Sequence, residues 1–225
     1  AHTDAVPHVV ATVPPQHMYG MELSVLLPMV TTLAVHAGRP FFPEDVARAL
    51  ADIPAPRVLV TTPVHLRALI ESGVALPPLA GIVSATAPLA PDIAAAAEAR
   101  FGGEVREMFG STETCVFAVR RTALEAAWTP LPGVRLETQA AGTLVHAPHL
   151  TTPVLLADMM DVADDGSFQV RGRQADVLEI AGKRASLADL TRRLLAIPGV
   201  IDGTIVQLAP DPGQAVGRIA ALVVA

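Results

Sequence analysis

The chain predicts an α/β fold: a helix-covered, mainly parallel sheet, then a small antiparallel β section and a short α+β tail. Three observations predict it. Strand-like and helix-like runs alternate through roughly the first 125 residues, the order that βαβ units produce. Beyond Trp128 the alternation gives way to short apolar runs separated by turn residues, the pattern of antiparallel strands. Apolar residues make up 51% of the 225 and aromatic ones only 4%, so a large core built from Ala, Val and Leu is available.

VPHVVATV (6–13) reads as a strand, and MELSVLLPMVTTLAVHA (21–37) as one buried helix. FPEDVARALADI (42–53) places Pro43 and two acids at a helix start, where a missing N–H costs nothing and the helix dipole favours negative charge. RVLVTT (57–62) is a short buried strand and PVHLRALIES (63–72) a helix opening on proline. LAGIVSAT (79–86), PDIAAAAEARF (91–101) and EVREMF (104–109) repeat strand, helix, strand. VRLETQ, GTLVHAP, PVLLADM and GSFQVRG form the antiparallel section, with DDG at 164–166 as a turn. In the tail, VLEIAGKRA reads as strands or a hairpin, SLADLTRRLLAI as a helix capped by Ser186, and GTIVQLA and GRIAALVVA as further strands. Residues 1–172 are expected to belong to a large domain, α/β to about 125 and β-rich over 126–172, and residues 173–225 to a small second one.

Composition excludes several function classes. A net charge of -6 with no basic block argues against nucleic-acid binding. Cys115 is the only cysteine, so no internal disulfide can form and a cytoplasmic location is expected. The longest apolar stretch contains Glu22 and Pro28, which argues against a membrane span. The chain begins at Ala1 and stops inside an apolar run, so an interior fragment is expected.

Gly110-Ser111-Thr112-Glu113 follows a strand in the α/β part, and ligands of open α/β sheets sit beyond the carboxyl ends of strands. Glycine lets backbone approach closely, hydroxyls donate to phosphate, and a carboxylate holds a hard cation through oxygen. The same four residues also suit a hydroxyl-capped turn. His146 and His149 have no third ligand nearby and read as no metal site. Met159 and Met160 read as core filler, and Cys115 as a packing residue.

Four segments together carry a resemblance. PPQHMYG (14–20), SATAPL (84–89), FGSTET (109–114) and RGRQADVLEIAGKRASL (171–187) resemble, in order, the His-x-Tyr-Gly, Ser-Gly-Gly-Ala-Pro-Leu, Tyr-Gly-Ser-Thr-Glu-Thr and Gly-Arg-x-Asp-Asp segments of acyl-adenylate-forming ligases. That superfamily includes acyl-CoA synthetases, aryl-CoA ligases and nonribosomal adenylation domains. The resemblance implies the adenylate-forming ligase fold and a two-step reaction using ATP and Mg2+. A small carboxylic acid becomes an acyl-AMP, then passes to the thiol of CoA or of phosphopantetheine on an acyl carrier protein. It implies that Thr112 bonds the α-phosphate and Glu113 holds Mg2+. Phe109 would stack on adenine opposite the backbone of Thr86, Ala87 and Pro88, with Gly110 and Ser111 completing the nucleotide-binding turn. Asp158 would grip the ribose hydroxyls and Arg173 the ribose and phosphate. His17, Tyr19 and Gly20 would wall the acyl site, Ala175 would mark the hinge, and Gly182 and Arg184 would lie on the pantetheine side.

QHMYGMELSVLLP, TTPVHLRALI, IVSATAPL and AGKRASLADL resemble most closely the AMP-ligases of aryl polyene and xanthomonadin-type pigment pathways, which implies an aromatic, hydroxybenzoate-like acid. Some positions depart from the pattern. Ala157, Thr86 and Cys115 stand at or near expected glycines, and Ala175 where Asp or Lys is usual. The family's phosphate loop and its C-terminal lysine are not in these residues, so the fragment alone is expected to be inactive. The alternative is a noncatalytic nucleotide- or acyl-binding remnant.

Overall fold

Proline opens three of the helices that build the first part of the molecule, each at a position where its missing N–H breaks no bond. They are α3 (Pro43–Ala51), α4 (Pro63–Glu71) and α5 (Pro91–Phe101). The computed structural model describes residues 5–173, 177–180, 183–208 and 218–225. It divides into two units, Ala1–Pro132 and Gly133–Ala225.

The first unit holds a seven-stranded sheet in the order β2-β1-β3-β4-β5-β6-β7. β1 (His8–Ala11), β2 (Ala34–Val35), β3 (Arg57–Thr61), β4 (Gly81–Ser84) and β5 (Glu104–Ser111) run parallel, while β6 (Cys115–Arg120) pairs antiparallel with β5 and β7 (Thr129–Pro130) antiparallel with β6. Alternate strand residues go to opposite faces. Val10, Leu59, Ile82 and Val105 pack with Val46 and Leu50 of α3, Leu66 and Leu69 of α4, and Ala94, Ala97 and Phe101 of α5. Val9, Ala11, Val60 and Val116 pack on the other face with Tyr19. Both faces are therefore apolar, which is why these strands read as continuous hydrophobic runs. Burying a leucine such as Leu59 stabilises the fold by about 1.5–3 kcal/mol.

The run at 21–37 is not one buried helix. α1 (Met18–Met21) passes into a π-helical turn (Glu22–Leu26) and then α2 (Leu27–Val30), after which Ala34–Val35 forms edge strand β2. Pro28 has no N–H to offer the carbonyl of Ser24, and the backbone widens just before it, with the Leu27 N–H reaching the Glu22 carbonyl. Thr31 ends the helix with extended backbone while its hydroxyl donates to the Leu27 carbonyl at 2.6 Å. Met29 and Val30 are 75% and 80% exposed.

The second unit is built of small antiparallel sheets, as the turn-separated runs predict. β8 (Arg135–Gln139), β9 (Gly142–His146) and β10 (Val154–Leu156) form one, and β11 (Asp158–Val162) pairs with β12 (Phe168–Arg173). β13 (Val177–Ile180) and β14 (Lys183–Ser186) pair antiparallel, within the run read as strands or a hairpin. α6 (Leu187–Leu195) follows, with the Ser186 hydroxyl accepting the Asp189 N–H at 3.4 Å, and β15 (Asp202–Gln207) pairs with β16 (Ile219–Val224). Among the described residues no helix is long and apolar enough to cross a membrane.

Candidate active site

Parallel pairing puts the carboxyl ends of β1, β3, β4 and β5 along one sheet edge, the edge where α/β sheets hold ligands. The segment 14–20 follows β1, 84–89 leaves β4, and 109–113 ends β5. Ser84 and Glu107 are register partners, so the last two segments emerge from adjacent strands. Three of the four motif segments thus share one edge of the first unit.

The FGSTET motif is the tip of a hairpin. β5 continues to Ser111, beyond the expected end at 109, and turns straight into β6, a strand the sequence reading did not separate. Gly110 is required here, since a Cβ would lie 2.2 Å from the Cys115 carbonyl oxygen. The Thr114 hydroxyl accepts the Ser111 N–H at 3.1 Å, and the two hydroxyls lie 3.0 Å apart. A hydroxyl-capped turn does form, but Ser111 is closed by Thr114, outside the four residues read as that turn, while Thr112 and Glu113 are exposed at the tip. The Phe109 ring packs against Phe117 at 5.4 Å and Trp128 at 5.1 Å. Cys115 has φ +56°, and its neighbour's N–H, at Val116, donates to the Glu22 carboxylate at 3.1 Å. Burial, reinforced by the charge of Glu22, pushes the Cys115 thiol up from its ordinary pKa, which keeps it protonated and poorly nucleophilic.

In the 84–89 segment Thr86, Ala87 and Pro88 are exposed between buried Ala85 and Leu89. Thr86 has φ +84°, a region that a β-branched residue rarely enters. Leu89 donates its N–H to Glu107 at 3.0 Å. Glu107 is 2% exposed, and its other oxygen accepts from the Thr122 hydroxyl at 2.6 Å and from Arg120 Nε at 2.7 Å.

At 17–20 the three expected acyl-site residues separate. His17 is exposed at the start of α1. Tyr19 is 1% exposed, fills the core beside Val9 and Val60, and directs its hydroxyl to the Thr61 carbonyl at 3.5 Å. Burial pushes that hydroxyl well above its ordinary pKa, the Thr61 bond only partly offsetting it. Gly20 lets α1 pack on the preceding turn, since a Cβ would meet the Pro14 carbonyl oxygen at 2.2 Å.

In the second unit, Asp158 and Arg173 are cross-strand partners on β11 and β12, with Arg173 Nε 3.5 Å from Asp158 Oδ1. A bulge between Met159 and Met160 breaks the register beside them. Ala175 and Gly182 lie outside the described residues. Arg184 is on β14 opposite Glu179.

Sequence reasoning missed Glu107 and Arg120. The available signal was the alternation Val105, Glu107, Phe109, which sends an acid toward the buried face of β5.

This edge, with its glycine-bearing hairpin and hydroxyl-rich tip, belongs to a class defined by a known family. Residues 2–166 match the family described as AMP-binding enzyme, and the chain belongs to that family, within the acyl-CoA ligase superfamily. It is 31% identical over 198 residues to a 4-coumarate–CoA ligase of Rhodobacter capsulatus, covering 85% of this chain and 47% of that protein. A 4-coumarate–CoA ligase of Halorhodospira halophila is 27% identical over 198 residues, covering 84% and 46%. The chain therefore spans about half the length of the curated relatives it matches. Its fold is shared with ATP-bound MatB from Rhodopseudomonas palustris, with TM-score 0.79 and 18% identity over 97% of this chain and 50% of that one. A benzoate CoA ligase from Burkholderia xenovorans matches with TM-score 0.79 and 20% identity, with the same coverage.

Proposed function

We propose that the chain supplies the nucleotide- and acyl-binding part of an enzyme that activates a carboxylic acid with ATP and transfers it to a thiol. The observation that carries this reading is the emergence of 17–20, 84–89 and 109–113 from β1, β4 and β5 at one sheet edge. Adenine would lie between Phe109 and the exposed backbone of Thr86, Ala87 and Pro88. Thr112 would donate to the α-phosphate as the acid's carboxylate attacks it and pyrophosphate leaves. Glu113 is an exposed carboxylate at a hairpin tip, which suits Mg2+, an ion that takes one or two carboxylates and otherwise keeps waters and substrate phosphates. When bound there, Mg2+ would offset negative charge on the triphosphate.

In this reading the Asp158 carboxylate would accept from ribose hydroxyls, with Arg173 beside it as a charge-assisted donor. His17 offers a polar group to the acid. Two 4-coumarate–CoA ligases among the relatives support an aromatic acid and CoA as acceptor. The resemblance to aryl polyene and xanthomonadin-type AMP-ligases supports a hydroxybenzoate-like acid and, as the other acceptor, phosphopantetheine on an acyl carrier protein.

The test is acid-dependent pyrophosphate exchange by the whole protein, run over a panel of aromatic and aliphatic acids. Glu113→Gln should lower exchange by roughly two to three orders of magnitude, the scale of losing one charge-stabilising group. Unaltered exchange would remove Glu113 from the reaction, and exchange with aliphatic acids alone would overturn the aromatic assignment.

A further inference from the structure

We propose that Glu107, which nothing in the motif assigns, is a positioning residue that sets both walls of the adenine slot. The inference rests on the nucleotide reading above. Glu107 lies beneath the edge, fully buried on β5, and its two oxygens divide their work. Oε1 accepts the Leu89 N–H at 3.0 Å and so holds the end of the 84–89 segment, one wall of the slot. Oε2 accepts from Arg120 Nε at 2.7 Å, from Arg120 Nη2 at 2.7 Å and from the Thr122 hydroxyl at 2.6 Å, which ties down the returning arm of the hairpin.

Arg120 then carries the constraint to the other wall. Its guanidinium lies 4.3 Å from the centroid of the Trp128 ring, and Trp128 in turn packs on Phe109 at 5.1 Å. One chain of contacts therefore runs Leu89, Glu107, Arg120, Trp128, Phe109, from the backbone wall to the aromatic wall. Thr86 stands at φ +84° among exposed residues, and the Leu89 N–H bond to Glu107 holds this segment from its buried end. A carboxylate holding a backbone N–H and a guanidinium together makes charge-assisted bonds, stronger and more directional than neutral ones.

Trp128 is the only tryptophan of these 225 residues, so emission assigned to it reports this network. The experiment measures ATP affinity and stoichiometry by calorimetry, Trp128 emission, and amide exchange at Leu89. The main variant is Glu107→Gln/Arg120→Met, which removes both charges together and leaves no orphaned buried ion. It should raise Kd for ATP about tenfold, the scale of a disturbed stacking contact, with unchanged stoichiometry, shifted emission and faster exchange at Leu89. A residue with a merely structural role would lower the stoichiometry of competent protein and leave Kd alone. Should the double variant fail to fold, Arg120→Lys decides, because it keeps the charge beside Glu107 but loses the flat contact with Trp128; its Kd should rise and its emission shift. Wild-type Kd and emission in a folded variant overturn the proposal. Absence of ATP binding by the wild type overturns the nucleotide reading instead, and unaltered Leu89 exchange in the double variant then overturns the positioning role separately.

Discussion

Both units expose apolar side chains, but among the described residues the first also encloses a deep apolar core, while the second buries only a few. Val10, Leu50, Leu59, Leu66, Ile82 and Val105 have no solvent exposure, whereas Ile197, Ile201, Leu222 and Val224 are 52%, 59%, 62% and 56% exposed. The cause is architectural. A parallel sheet joined by crossover helices is covered on both faces, and hairpins of two or three strands bury one face at most. Backbone strain follows the same division. Among the described residues, every positive φ in the second unit belongs to a glycine, but Thr86 and Cys115 in the first do not. A side chain stays in such a conformation only where its surroundings over-determine it, and the packed unit supplies those surroundings. The comparison teaches where strained backbone can be held: at the edge of a deep core.

The largest effect should come from cutting into that core. Leu59→Ala removes a side chain with no exposure from the centre of the sheet and should cost about 2–5 kcal/mol. Leu222→Ala, in β16, should change stability by about 0.5 kcal/mol or less. Denaturant titration followed by Trp128 emission for the first unit and by amide exchange for the second measures both. Similar costs at the two positions would break the contrast between the units.

The sequence made much of this frame legible because proline, glycine and alternating β-branched residues act locally. Pro43, Pro63 and Pro91 mark their helix starts, and Val10, Leu59 and Ile82 read as strand cores without knowledge of neighbours. What was not legible depends on distant partners. MELSVLLPMVTTLAVHA has helical hydropathy, but Pro28 forces the widened turn and edge pairing with His8 and Val9 turns Ala34–Val35 into strand. β6 was hidden because CVFAVR follows the polar motif at once, and only the hairpin shows that motif to be a tip. The site residues around Thr112 were readable as a group through the motif, yet Glu107 was not, since its partners at 89, 120 and 122 are brought in by the sheet. Thr86 and Cys115 were visible as departures from glycine; the reason glycine suits those positions, a positive φ, belongs to the backbone.

A smaller change sharpens the contrast in strain. Thr86→Gly removes the clash of a branched Cβ at φ +84°, a relief of order 1–3 kcal/mol, and concedes part of it to the greater freedom of glycine in the unfolded chain. A net gain of about 1 kcal/mol is expected, read as a higher denaturation midpoint. A loss of stability would show that the threonine side chain contributes more than its backbone conformation costs.

The smallest effect is a pH step confined to the first unit. His65 is half-buried in α4, with Nδ1 3.0 Å from the Thr62 hydroxyl and 3.3 Å from that of Thr12. Burial lowers its pKa, because a charged imidazole there loses hydration. The folded protein therefore binds this proton less readily than the unfolded chain does. As pH falls from neutral, the unfolded state protonates first, so stability declines from the ordinary imidazole range down through the lower folded pKa and levels off beneath it. A second decline follows in the carboxylate range. There the Arg121 hydrogen bond, partly opposed by burial, lowers the pKa of Glu98, and stability held above the ordinary carboxyl range is lost as pH falls through the folded value. Denaturation midpoints followed by Trp128 emission across acid pH should show both declines, and His65→Asn should remove the upper one while leaving the lower. An upper decline that survives the substitution would assign it to another group.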